Sequence, residues 1–309
     1  MRRISLLISA LALGVAGHAQ AQSQPAKPQI AFTFDDLPAH AALPLGQTRL
    51  KIAQTLIDAL KAAGLPPVYG FVNGVREEEE PASRSVLPAW RAAGFPLGDH
   101  TWSHMNLNSH SVAEFEADVL KNRPVLEREM AGADWRWFRY PNLSEGDTPQ
   151  KRAGVRAFLA GQGYRVAQVT MSFGDYAFND PYARCVAKDD QAAIAKLKHD
   201  YIASAVESAT YARSLSRTLY GRDIPYVLLM HAGALDAQML PQLIALYRTE
   251  GFGFTTLPEA ERDPFYRIDT DLSLPVGPDT LEEVMHARGL PLPARPGAID
   301  LKALDQVCR

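Results

Sequence analysis

The sequence predicts an α/β fold: a mostly parallel sheet that closes, or nearly closes, into a barrel with helices outside. Three observations carry this expectation. Apolar, β-rich runs alternate with stretches of helical period about seven times; several helical stretches end at glycine just before the next strand; and unusual polar residues fall at the C-terminal ends of the strands. An open doubly wound sheet is the rival arrangement, although no glycine-rich phosphate loop follows the first strand to give it a nucleotide site.

The strands are expected at 30–34, 67–72, 95–98, 135–139, 164–171, 225–230 and 252–257, each a short run rich in β-branched, aromatic or aliphatic residues. Between the first two, Leu50, Ala53, Ile57 and Leu60 recur at threes and fours before Gly64, the pattern of a helix with one apolar face. "SRSVLPAWRAAG", "SVAEFEADVLKNRPVLEREMAG", "TPQKRAGVRAFLAGQG", the segment from about Asp189 to Leu219 and "MLPQLIALYRTEG" read as further helices. "REEEEP" (76–81) reads as a solvated loop, and the Pro-rich tail from about Asp263 as a wrap or appendage.

Length and composition fit an ordinary globular chain, with 309 residues, 47% apolar and 22% charged. Residues 1–21 read as a cleavable export signal: Arg2 and Arg3, the apolar run "ISLLISALALGVA", then "AQA", with cleavage expected after Ala21. An uncleaved anchor is the competing reading, but the apolar run is shorter than a bilayer span. Loss of Arg2 and Arg3 takes the formal charge from −3 to −5, an acidic balance that argues against nucleic acid as partner. In an exported chain Cys185 and Cys308 could pair or stay free, and without a CxxC a cysteine metal site is not expected.

Laid over the strand map, the polar outliers share one rim. Asp35 and Asp36 end the first strand; "GDHTWSH" (98–104) follows the third; "RYP" (139–141) ends the fourth; "GDY" (174–176) follows the fifth; and His231 ends the sixth. In a parallel βα barrel this is the face where active sites assemble. His100 and His104 could decorate a loop; a helical or tight turn would instead aim both imidazoles one way as two ligands for an ion such as Zn²⁺, with a carboxylate as third. The aspartates could be a solvated turn, or one could bind the ion while the other takes a proton from water. Arg139, in the aromatic run "WRWFR", needs a partner and would hold a free Asp ionised. His231 could be a satisfied core histidine, or a general acid oriented by Asp175.

Together these residues resemble the polysaccharide deacetylase family, also called the NodB-homology family or carbohydrate esterase family four. "TFDD" (33–36), "HTWSH" (100–104), "RYP" (139–141), "DY" (175–176) and "LMH" (229–231) are similar to its five motifs, in order, over about residues 28–260. The resemblance implies a distorted (β/α)₇ barrel and a metal-dependent hydrolase that removes acetyl groups, chiefly N-acetyl, from an acetylated glycan through metal-activated water. It implies one divalent metal, Zn²⁺ or alternatively Co²⁺ or another ion, on Asp36, His100 and His104, with Asp35 as base and His231 as acid. It further implies that Arg139 positions Asp35, Asp175 positions His231, Leu229 lines the acetyl pocket, and a backbone N–H near Asn142 faces the oxyanion.

Three departures bear on substrate, and all are expected in the groove walls: Leu37 where the family has Gly, Asn142 after Pro141 where it has Tyr, and Tyr176 where it has Trp. The resulting organisation is a signal peptide (1–21), a deacetylase-like barrel (22–262) and a C-terminal extension packed on it (263–309). The mature chain is expected to be periplasmic or secreted, with no nucleic-acid partner and no membrane after signal cleavage. A catalytically inert carbohydrate-binding protein of this fold and a hydrolase of small amides are the competing functions. A glycosidase fits less well, since adjacent carboxylates cannot flank a scissile bond from opposite sides.

Overall fold

The computed structural model describes residues 27–295 and 299–309, so the expected signal segment and its cleavage site lie outside the described residues. The barrel begins with β1 (Gln29–Leu37), α1 (Arg49–Ala62), β2 (Tyr69–Val72), α2 (Arg76–Glu79), α3 (Val86–Ala92) and β3 (Leu97–Asp99). It continues through α4 (Val112–Met130), β4 (Trp137–Phe138), α5 (Pro149–Gly161), β5 (Arg165–Val166), α6 (Asn179–Ala187) and α7 (Gln191–Tyr220). Then come β6 (Tyr226–His231), α8 (Ala234–Thr249) and β7 (Gly253–Phe254), followed by short helices α9 (Leu257–Ala260), α10 (Arg267–Thr270), α11 (Leu281–Ala287) and α12 (Leu301–Gln306).

All seven strands pair in parallel, in the order β5-β4-β3-β2-β1-β6, with β7 on the start of β1. The central strands β1, β2 and β6 are buried along nearly their whole length, which is why they read as continuous apolar runs and not as alternating ones. α1 shows how the covering layer forms. Thr48 caps its first turn by accepting from Lys51 N–H, and Ile52, Ala53, Leu56, Ile57 and Leu60 turn one apolar stripe onto the sheet. Gly64, at φ +66°, then reverses the chain toward β2.

The fifth expected strand, 164–171, is regular only at Arg165–Val166. Beyond it the backbone leaves β4 and crosses to the far edge of β6. There Thr170 and Met171 donate to the Val227 carbonyl and Leu229 donates back to Met171. This irregular segment closes the sheet into the distorted (β/α)₇ barrel. Tyr266 from the C-terminal tail braces the seam, accepting from the Thr170 hydroxyl at 2.8 Å and donating to the Pro225 carbonyl at 2.7 Å. The tail is tied again at its end by a disulfide between Cys185 and Cys308.

Two expectations need correction. "REEEEP" is not a solvated loop: it forms α2 and the turn after it, with Glu77 buried under Arg128, which donates to both its carboxylate oxygens at 2.8–2.9 Å. Nor does Leu37 belong to a groove wall. It is fully buried, and its Cδ1 occupies the space where a Cβ on Gly70 of β2 would stand. The large residue on β1 and the missing side chain on β2 are one packing unit. Gly70→Ala would bring its methyl carbon to 2.1 Å from Leu37 Cδ1, with the Trp90 indole behind it. The expected cost is about 1–3 kcal/mol of stability, seen as a lower urea midpoint at unchanged slope; an unchanged midpoint would refute the packing argument.

Candidate metal centre and active site

Consecutive residues in a strand point to opposite faces, so Asp35 and Asp36 can meet in one cavity only if the strand is broken between them. It is. The register of β1 on β2 shifts between Phe34 and Leu37, and Asp36 takes φ +62°, a left-handed conformation uncommon for a residue other than glycine. Asp35 still pairs with β6, directly opposite His231. The bulge therefore leaves Asp35 and His231 side by side on neighbouring strands and turns Asp36 toward the loop after β3.

That loop holds His100 and His104 in a tight turn, not a helix, with Thr101 at φ +63° and His104 at φ +57°. Its shape is fixed from below. Asp99 accepts from Thr101 N–H (2.9 Å), Asn122 (2.8 Å) and the Tyr164 hydroxyl (2.5 Å), and Asn73 donates to the His100 and Thr101 carbonyls. Ser103 is held by Asp118 through both its N–H and its hydroxyl. Backbone strain at several neighbouring residues is maintained by this network, as is common at functional sites.

Asp36, His100 and His104 bring one ligand atom each within 4.8 Å of one another. Asp36 Oδ1 lies 3.6 Å from His100 Nε2 and 3.5 Å from His104 Nε2, and it is buried with no hydrogen-bond partner. An orphaned carboxylate oxygen facing two imidazole nitrogens fits a divalent cation. The protonation states agree. His100 Nδ1 donates to the Arg139 carbonyl at 2.7 Å, which leaves Nε2 with its lone pair. Burial and the neighbouring His100 push His104 down to about 4, so it is neutral at pH 7. Burial opposes the Asp36 charge, but the hydrogen bond from His40 and the fields of His231, His40 and His100 hold its carboxyl far below the usual range. Two imidazoles and one carboxylate leave positions open for water or substrate, the donor set of a reactive and not a structural site.

Arg139 is wholly buried, and each face of its guanidinium is used. Nε donates to the Ala167 carbonyl (2.6 Å), one terminal nitrogen to both oxygens of Asp35 (3.3 and 3.4 Å), the other to Thr33 Oγ1 (3.1 Å), and the plane lies over the Phe71 ring. His231 lies on the other flank. Asp175 accepts from its backbone N–H at 2.6 Å and meets its Nδ1 at 3.2 Å through both oxygens. Burial disfavours the imidazolium, yet Asp175, with Asp36 and Asp35 farther off, outweighs it and raises His231 to about 10.

Asp35, Asp36, His100, His104 and His231 line a cavity of about 390 Å³ together with Tyr140, Asn142, Leu143, Ser172, Tyr176 and Leu229, with Arg139 and Asp175 buried behind them. Pro141 is not among the lining residues. It is buried, and it starts the turn that places Asn142 (φ +55°) and Leu143 on the wall. His40, which the strand map does not single out, also lines the cavity. Its Nδ1 is 2.9 Å from Asp36 Oδ2 and its ring 4.7 Å from that of His231. The only sequence signal was its place four residues beyond Asp36.

The fold and the Asp/His/His cluster define a parallel βα barrel with a candidate divalent-metal centre on the rim of its sheet. Residues 22–158, the part of the chain that carries Asp35, Asp36, His100, His104 and Arg139, match the family model described as Polysaccharide deacetylase. The chain is 27% identical to a chitin deacetylase of Colletotrichum lindemuthianum over 154 residues, 49% of this chain and 54% of that protein, so it spans about half the length of this curated relative. Among solved structures, a chitin deacetylase from that fungus shares the fold at 22% identity, covering 77% of this chain and 89% of that one with a TM-score of 0.50. The peptidoglycan deacetylase PdaC of Bacillus subtilis does so at 20% identity, covering 78% and 93%, also with a TM-score of 0.50.

Arg139→Leu leaves Asp35 buried and unpaired, with an expected loss of about 3–5 kcal/mol of stability. Adding Asp35→Asn removes that charge and is expected to recover part of the loss in chemical denaturation. Full additivity of the two losses would refute the ion pair.

Proposed function

We propose that the protein is a metal-dependent deacetylase that hydrolyses acetyl groups, N-acetyl first among them, on a glycan. The observation that carries this reading is the division of the adjacent aspartates: Asp36 faces the two ligand histidines through an oxygen without other partner, while Asp35 is held by Arg139 opposite His231. Similarity to proteins described as deacetylases supports the same reading.

Asp36, His100 and His104 would hold the ion, with Zn²⁺ favoured because two imidazoles and a carboxylate suit a borderline-soft cation. When bound, the ion would polarise the acetyl carbonyl and acidify water. Asp35, held in place by Arg139, takes the proton of the attacking water. His231, charged at neutral pH and oriented by Asp175, gives a proton to the leaving sugar amine. Leu229 supplies an apolar wall for the acetyl methyl, and a backbone N–H of the Asn142 turn adds a donor toward the carbonyl oxygen. Tyr176, half exposed at the rim, offers a sugar-stacking face. The disulfide and the apolar N-terminal segment support an exported, periplasmic or secreted chain after cleavage at Ala21.

Asp35→Asn is expected to bind metal as the parent does and to lower acetate release from N-acetylated oligosaccharides by about 10²–10⁴-fold; unchanged turnover would sink the assignment. A raised His231 also has a pH signature. With its imidazole at about 10, the acid stays loaded through the neutral range and is lost as pH rises through that value. Asp175→Asn removes the main charge holding the proton, so the alkaline limb of kcat should move to lower pH. An unmoved limb would assign the acid to another group.

A further inference from the structure

We infer that His40 is a positioning residue for the metal centre, orienting Asp36 so that a single carboxylate oxygen faces the ion, and that the segment 76–81 serves as its support. The inference rests on Asp36, His100 and His104 as metal ligands, not on the identity of the substrate.

An ionised carboxylate only accepts hydrogen bonds, so the 2.9 Å contact between His40 Nδ1 and Asp36 Oδ2 requires the proton on Nδ1. That bond occupies Oδ2 and leaves Oδ1, which has no partner, directed at His100 and His104. A carboxylate free to rotate would present either oxygen, or both, to a cation. One pinned through Oδ2 is preset to bind through Oδ1 alone, keeping coordination positions open for water and acetyl oxygen.

The histidine is itself held. The Arg49 guanidinium donates to the His40 carbonyl at 2.6 Å and, through Nε, to Glu80 at 3.0 Å. Two residues on, Ala42 N–H donates to Asp180 at 2.8 Å. Glu80 is the last acid of "REEEEP", and the chain Glu80, Arg49, His40, Asp36 gives the end of that charge run a task. The imidazole is only 13% exposed and lies against the His231 ring, so it has little room to turn away from Asp36.

The test is divalent-metal affinity, read by calorimetric titration of chelator-stripped protein with Zn²⁺ alone, independent of any glycan. His40→Ala should weaken Zn²⁺ binding by about 10–100-fold while the unfolding midpoint of the metal-free protein stays within a few degrees of the parent. His40→Asn places an amide N–H close to the position of Nδ1 and should recover most of that loss; Glu80→Gln should show a smaller loss of its own. Zn²⁺ binding by His40→Ala within twofold of the parent would overturn the inference, as would a His40→Asn variant no better than alanine. A parent protein that binds no divalent ion would instead overturn the metal reading itself. A parent that binds Zn²⁺ but releases no acetate would overturn the proposed activity and leave the His40 result to stand or fall alone.

Discussion

The ion pair between Arg139 and Asp35, buried at the centre of the barrel, is the constraint that organises the rest. A guanidinium with no access to water needs a counter-charge and a full set of acceptors. Asp35, Thr33 and the Ala167 carbonyl supply them from β1 and the segment after β5. The pair therefore cross-links the first, fourth and fifth βα units through the barrel interior. It also removes the repulsion that would otherwise set Asp35 against Asp36. Once the arginine has taken one negative charge, the other is free to face a cation, and the chain needs only one residue in a left-handed conformation to separate them.

Both flanks repeat this logic of an ionisable group paired with a fixed partner behind it. Asp175 stands behind His231 and the Arg139 carbonyl behind His100. Asp99, raised to about 6 by burial against its three hydrogen bonds, underlies the turn between the ligand histidines. Asp175 and the Arg139 carbonyl come from different strands or loops from the histidines they serve, and Asp99 is tied to Asn122 and Tyr164 elsewhere in the chain, so the site is rigid because the barrel is.

What the sequence made legible followed from signals that are local and periodic. Seven strands were recoverable because continuous apolar runs bounded by glycine have few other readings, and the rim residues because polar groups at the ends of such runs stand out. What escaped was set by contacts across the chain. Strand five read as 164–171 on composition, yet its second half leaves its neighbour to seal the barrel against β6. Leu37 looked like a groove residue from its place beside the aspartates; only the space left on the neighbouring strand by Gly70, 33 positions away, makes it core. His40 carried no strand signal, and its role depends on a bulge that no single-residue propensity announces. "REEEEP" had the composition of a solvated loop, and Arg128 from α4 and Arg49 from α1 hold two of its acids, Glu77 and Glu80.

The disulfide divides these groups in a way the fold alone does not. Joining Cys185 to Cys308 closes a covalent ring across a separation of 123 residues. Of the charged and imidazole groups around the cavity, His231 alone lies inside it. Asp35, Asp36, His40, His100, His104, Arg139 and Asp175 all belong to the open N-terminal portion. Oxidation therefore restricts the unfolded ensemble of the segment bearing His231 and leaves the segment bearing Asp36, His100 and His104 unconstrained. A chain that oxidises before it folds would gather Asp36, His100 and His104 from a linear polymer and His231 from a loop already closed.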